Sequence, residues 1–198
     1  MRLTTLGVGA MKSPCHAPAG LLVAHAGVRA MLDGGPGAEP TGRLDVWLVT
    51  DARAELMAPL RRAAARWGLE PRVAAFRRHG LVIEPRAVVH TSHPAYGYRI
   101  RAGRRTVVWA PEFYRFPGWA RGAALMFADG AAWSRPIRFA GGVGGHADVL
   151  ATAGAARRAG VKRLVFAHIG RPTLRALARG ARPPFGSMAA DGQRFVLG

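Results

Sequence analysis

Apolar residues fall into short runs separated by Gly, Pro and charged residues, the pattern of strands rather than of long helices. Leu3 to Leu6, Gly20 to His25 and Val28 to Leu32 predict strands. Asp45 to Val49 adds a nearly continuous apolar run, expected to be buried. Ala52 to Trp67 places Leu56, Leu60, Ala64 and Trp67 on one helical face and ends at Gly68, a stop signal. Val73 to Phe76, Leu81 to Ile83 and Ala87 to His90 predict further strands. Tyr96 to Ile100 and Thr106 to Trp109 predict a hairpin across Arg101–Arg105. Ala124 to Ala128 and Arg163 to Ala167 read as strands, with helices over Asp148 to Ala159 and Thr173 to Arg179. Pro172 stands where the first turn of that last helix favours it. Gln193 to Leu197 closes the chain as a strand. There is no repeat and no linker, so residues 1–198 are expected to form one α/β domain of two sheets covered by helices.

Composition narrows the setting. A chain of 198 residues can bury a sizeable core. No window approaches the ~18 apolar residues of a membrane span, and Met1 to Gly9 lacks the charged and apolar regions of a signal peptide. The single cysteine, Cys15, excludes an intramolecular disulfide. These features lead to the expectation of a cytoplasmic protein with no membrane partner. The net charge is +18, from 29 basic residues of which only Lys12 and Lys162 are lysine, against 11 acids. Enrichment in Arg, Ala, Gly and Pro is what a GC-rich coding sequence produces, but it does not account for so few acids. Drift and a real attraction for anions, whether an anionic small molecule or nucleic acid, both stand open.

The ordered motifs add a resemblance. Asp33-Gly34-Gly35-Pro36-Gly37 follows a strand, and Thr50-Asp51-Ala52-Arg53-Ala54-Glu55-Leu56 follows the next one. Leu6-Gly7-Val8-Gly9, the His90–Tyr98 segment, Val108–Glu112, Gly145-His146 and Val165–His168 complete the series. Together they resemble the metallo-β-lactamase superfamily, in particular its tRNA 3′-processing endonuclease and cyclic phosphodiesterase branch. The resemblance spans nearly the whole chain and implies a four-layer αββα sandwich. In that family the second strand ends in T-H-x-H-x-D-H, which supplies most of the metal ligands. Here Asp51 and Arg53 stand at the first two histidine positions, Glu55 at the aspartate and Leu56 at the last histidine. Glu112 stands at the bridging aspartate.

What the resemblance implies for the site follows position by position. Glu55, Glu112, His168 and a histidine from His90 or His93 would be the metal ligands, with His146 as proton donor and Asp51 beside it in the chemistry. Such an oxygen-rich set suits one divalent ion (Mn²⁺, Fe²⁺, Mg²⁺ or a single Zn²⁺) better than a zinc pair. Alternatively Arg53 replaces the metal charge among Asp51, Glu55 and Glu112, and no cofactor binds. The expected activity is hydrolysis of a phosphodiester or other anionic ester. The alternative is an inactive member holding a nucleotide or RNA in the same cleft. Related enzymes often pair, so a homodimer is implied as well.

Other features have plain readings beside functional ones. His16, His25 and His79 read as surface or loop residues. Asp129 ends an apolar strand and reads equally as a cap or a catalytic group. Gly141 to Gly145 reads first as a tight loop of positive φ, and otherwise as a phosphate cradle. Arg171, Arg175 and Arg179 form one basic helical stripe, either a solvated face or a phosphate-binding one. Phe113 to Trp119, with Tyr114 as a substrate contact, reads as a stacking lid or as a flap completing the core.

Overall fold

In the computed structural model, which describes residues 1–198, two mixed sheets pack against each other. The first contains β1 (Arg2–Gly7), β2 (Gly20–His25), β3 (Val28–Asp33), β4 (Val46–Leu48) and the C-terminal β14 (Arg194–Val196), in the order β14-β1-β2-β3-β4. The second contains β5 (Phe76–Arg78), β6 (Leu81–Val88), β7 (Ala95–Ala102), β8 (Arg105–Ala110), β9 (Leu125–Asp129), β12 (Leu164–Ala167) and β13 (Ser187–Met188). Its order is β13-β12-β9-β8-β7-β6-β5. A short ribbon pairs β10 (Ile137–Arg138) with β11 (Gly145–His146). The helices are α1 (Met57–Ala64), α2 (Val149–Arg158) and α3 (Arg171–Ala178).

Strand periodicity sorts the core into layers. Side chains alternate across a strand, so Val107, Trp109, Leu125, Phe127, Val165 and Ala167 enter the core between the sheets. Their neighbours Val108, Ala110, Met126, Ala128, Leu164 and Phe166 enter a second core under α2. The central strands β9 and β12 are therefore buried on both faces, which is why they read as unbroken apolar runs. On the other side, Met57, Leu60 and Ala64 of α1 pack on Met31 and Trp47 of the first sheet. The result is the αββα sandwich expected from the motifs.

Several elements differ from the sequence reading for identifiable reasons. The first helix begins at Met57 rather than Ala52. Asp51 accepts the Arg53 amide on its side chain (2.7 Å), a local turn that competes with a helical start. Leu81 to Ile83 and the start of the Ala87 run belong to one strand, β6, which passes through Pro85. Beyond Ile83 the outer side of β6 has no strand partner, so the missing N–H of Pro85 costs no ladder bond there. The strand expected at Val73 to Phe76 begins at Phe76 instead. The hairpin is tighter than expected, since Ala102 pairs with Arg105 across Gly103-Arg104. β13 and the ribbon are two residues per strand, too short to carry a pattern.

Topology gathers the chemistry at one edge. β8, β9 and β12 are parallel neighbours, so their C-terminal ends lie together. Glu112 follows β8, Asp129 ends β9 and His168 follows β12. β6 runs the same way, two antiparallel steps from β8, and leads to His90. In the first sheet β3 and β4 are also parallel and end at Asp33 and ahead of Thr50-Asp51.

Candidate functional site

Glu112 holds two imidazoles. Its Oε2 lies 2.7 Å from His90 Nε2 and its Oε1 lies 3.2 Å from His168 Nδ1. His90 Nδ1 also donates to the Gly145 carbonyl (2.9 Å). A ring that donates from both nitrogens is an imidazolium, so His90 and Glu112 form a buried ion pair. Gly144 makes this packing possible, because a Cβ there would collide with the His90 carbonyl. His146 belongs to a second pair: its Nδ1 donates to Asp129 Oδ2 at 2.8 Å. Asp129 is fully buried and also accepts the amides of Phe113 (3.0 Å) and Ala131 (2.9 Å). The His146 and His168 rings stack with centroids 5.1 Å apart. Neither Nε2 atom has a protein partner, so both stay free for a ligand.

The cluster opens at Glu112, whose side chain is 29% exposed against 6% for His90 and 11% for His168. Beside it is a cavity of about 70 Å³ with Asp33, Thr50, Asp51, Glu112 and His168 on its polar wall and Met11, Leu56 and Leu60 on the apolar one. Asp33 ties the wall together. Its Oδ1 accepts the Thr50 amide (2.7 Å) and hydroxyl (2.9 Å), and its Oδ2 accepts the Trp109 indole N–H (2.6 Å). His168 has φ +52°, a left-handed conformation uncommon outside glycine and asparagine. It is held because the next residue, Ile169, donates to Val8 (2.7 Å) and accepts from Ala10 (3.1 Å). Backbone held in such a state at a cleft is characteristic of functional sites.

Environment separates the protonation states. Burial opposes charge on His90, but the bond and charge of Glu112 prevail and raise the ring to about 9. Burial likewise pushes Glu112 upward, and His168 and His90 overcome it, holding the carboxyl well below its usual range. For His146 burial is outweighed by Asp129, and the ring is raised. For His168 burial prevails, reinforced by the His146 and His90 charges, and the ring is lowered despite Glu112. Burial lifts the Asp33 carboxyl to about 7 against its three donors.

A stability profile follows from His90. Its folded value lies above the ordinary 6.5, so the native state binds the proton more tightly than the unfolded chain. The contribution is complete below pH 6.5 and is lost as pH rises through about 9. It corresponds to about 3 kcal/mol. Thermal melts from pH 6 to 9.5 are expected to show Tm falling by several degrees, and His90→Gln is expected to flatten that fall.

The ligand set expected from the resemblance is not assembled. Glu55 is exposed, and so is Arg53. The positions of the rewritten motif that do face the cavity are Asp51, Ala54 and Leu56, and Leu56 brings a hydrocarbon where the family places a histidine. His93 is bound to Asp51 instead, Nε2 to Oδ2 at 2.8 Å. Both oxygens of Glu112 are engaged by histidines. No three His, Cys, Asp or Glu side chains converge on a common point that would hold a metal ion. As placed here, the ligands expected from the resemblance are turned toward one another and toward other partners rather than toward one ion.

Other expected contacts also fall elsewhere. Arg53 makes no ion pair with Glu112 and so does not stand in for metal charge. Asp51 and His146 do not work as a pair, since each is bonded to a different partner. Tyr114 lines a groove against α2 rather than the cavity. The Phe113 segment is a flap, with Phe113 buried and Phe116 and Trp119 packed on the second core. Arg171 is exposed, and Arg175 lines a separate groove. Gly141, Gly142, Gly144 and Gly145 all have positive φ, as a tight loop requires. Of the histidines offered as alternatives, His90 enters the cluster and His93 does not. Asp129 and Asp33 were underweighted by sequence reasoning. A carboxylate closing the all-apolar run Leu125–Ala128 must be buried and therefore needs partners, and that was the available signal.

An edge-sited cluster of His, Glu and Asp on an αββα sandwich defines a class. A family model described as "Beta-lactamase superfamily domain" matches residues 15–169, and the chain belongs to this family. Solved structures agree on the metallo-β-lactamase fold. The metallo-β-lactamase fold protein YhfI from Bacillus subtilis is 15% identical, covers 98% of each chain and has a TM-score of 0.74. A diphosphatase from the PhnP family is 17% identical over 100% of this chain and 98% of that one, with a TM-score of 0.74. Human tRNase Z, short form, is 14% identical over 99% of each, with a TM-score of 0.70. No curated protein matches the chain in sequence. No helix is long and apolar enough to cross a membrane.

Proposed function

We propose that the chain hydrolyses a phosphodiester or another anionic ester by histidine acid–base catalysis, without a bound metal. The observation that carries this reading is the stacked His146–His168 pair, whose carboxylate partners and burial shift the two rings in opposite directions. Two stacked titratable groups driven apart in this way are suited to act as an acid and a base. The neutral His168 takes a proton from water at Nε2 as the water oxygen attacks phosphorus or carbonyl carbon. The bond to the leaving oxygen breaks, and that oxygen receives the Nε2 proton of His146. His146 ends neutral and His168 protonated; exchange with solvent restores both. Asp129 fixes the His146 ring, and Glu112 fixes the His168 ring. Similarity to a PhnP-family diphosphatase and to tRNase Z supports the choice of phosphate esters.

Metal content tests the reading. Protein purified without chelator is expected to carry less than ~0.1 equivalent of any transition metal, because no assembled donor set retains one. Hydrolysis of bis(4-nitrophenyl) phosphate is expected to be unchanged by EDTA. Activity that appears only on adding Mn²⁺, Fe²⁺ or Zn²⁺ would refute it.

A further inference from the structure

A groove of about 360 Å³ runs between the segment Trp133–Arg135 and helix α3. Arg135 stands on one wall and Arg175 and Arg179 on the other, with Trp133 and Ser134 completing the polar lining. No acidic residue lines it. The arginines that form ion pairs are Arg43, Arg77, Arg78, Arg86 and Arg101, so the three in the groove have no acidic partner. Trp133 is unusual among the five tryptophans of the chain. Trp47, Trp67, Trp109 and Trp119 each donate the indole N–H to a protein oxygen, whereas the Trp133 N–H has no protein acceptor. Its carbonyl accepts the Leu150 amide (3.2 Å) and its ring packs on the second core, which fixes its position beside the groove.

We propose that this groove binds the backbone of single-stranded nucleic acid. Arg175 lies in the last turn of α3 and Arg179 caps its end, a rise of about 6 Å along the axis, so each can take a separate phosphate while Arg135 holds the strand from the opposite wall. Guanidinium groups are suited to phosphate oxygens. The Trp133 ring is half-buried, with one side packed on the second core, and its part lining the groove offers the stacking surface that a base needs and that a bare phosphate would not use. The net charge of +18 draws such a ligand in. Position links the groove to the cleft. Trp133 lies four residues beyond Asp129 and Arg171 three beyond His168, on segments leaving the adjacent strands β9 and β12. The inference deepens the proposed function by naming its substrate class, and it rests on that reading only in treating the bound strand as substrate; binding itself does not depend on catalysis.

Fluorescence anisotropy with a labelled single-stranded RNA 12-mer tests it on the whole protein. The variant Arg135→Gln/Arg175→Gln/Arg179→Gln is expected to bind about tenfold more weakly or worse. Its dependence of log affinity on log salt should be shallower by roughly 2, as three lost phosphate contacts require. A control with the same charge loss, Arg61→Gln/Arg62→Gln/Arg104→Gln, is expected to stay within about twofold of wild type. Trp133→Leu should weaken RNA binding several-fold and leave inorganic polyphosphate unaffected. Equal losses in the two triple variants would overturn the groove assignment, reducing binding to net charge. Polyphosphate binding as tight as RNA, with no effect of Trp133→Leu, would overturn the nucleic-acid assignment. A His146→Ala/His168→Ala variant is expected to bind RNA as wild type does, so failure of catalysis and failure of binding are read separately.

Discussion

His146→Gln and His168→Gln are each expected to lower hydrolysis of a phosphodiester by about 10²–10⁴-fold, the usual contribution of a positioned acid or base. The double variant should lose little more than either single one, because groups that act on one transition state are not additive. The pH dependence distinguishes their roles. The base must be neutral, and His168 is shifted below the ordinary histidine value, so wild-type rate falls on the acid side below pH 6.5. The acid must be protonated, and His146 is shifted above it, so rate falls on the alkaline side above pH 6.5. His168→Gln should remove the acid limb and His146→Gln the alkaline one. Rate measurements on well-folded variants decide this; loss of both limbs in either variant would contradict the division of labour.

Asp129→Ala is expected to cost about 3–5 kcal/mol of stability. The carboxylate is fully buried and accepts from three donors, the Phe113 and Ala131 amides and His146 Nδ1. Removing it leaves two buried N–H groups without acceptors and an imidazole without its counter-charge. For a domain of this length the loss should lower Tm by roughly 10–15 °C. Asp129→Asn keeps the volume and one acceptor oxygen but turns an NH₂ group toward two of the donors, so it should lose less stability and still lose the raised His146 pKa. Calorimetry together with the alkaline limb of the rate profile separates the structural part from the electrostatic one.

Much of this fold could be read from local pattern. The run Gly20–His25 begins and ends as β2 does, and Asp148 caps α2 by accepting the Ala151 amide (2.8 Å), as its place before an apolar run suggests. Motif order then gave the αββα arrangement and brought His90, Glu112, His146 and His168 to one edge. Partner choice was not legible. His93 and Asp51 are 42 residues apart, and nothing local marks them as bonded to each other. The frame T-D-A-R-A-E-L showed that the ligands were rewritten but not which side chains turn inward. That was decided by the Asx turn at Asp51 and the late start of α1, which leave Arg53 and Glu55 facing solvent. Asp129 lay in plain view at the end of an apolar strand, but its three bonds come from residues on different elements, and only the assembled edge supplies them.

Acid and base roles for His146 and His168 require the two rings to titrate apart. NMR titration of the imidazole resonances, assigned through His146→Gln and His168→Gln, measures this without any substrate. We expect His146 to titrate above pH 6.5 and His168 below it, with Asp129→Asn lowering the first. Coincident titrations, or His168 titrating above His146, would contradict the assignment of acid and base.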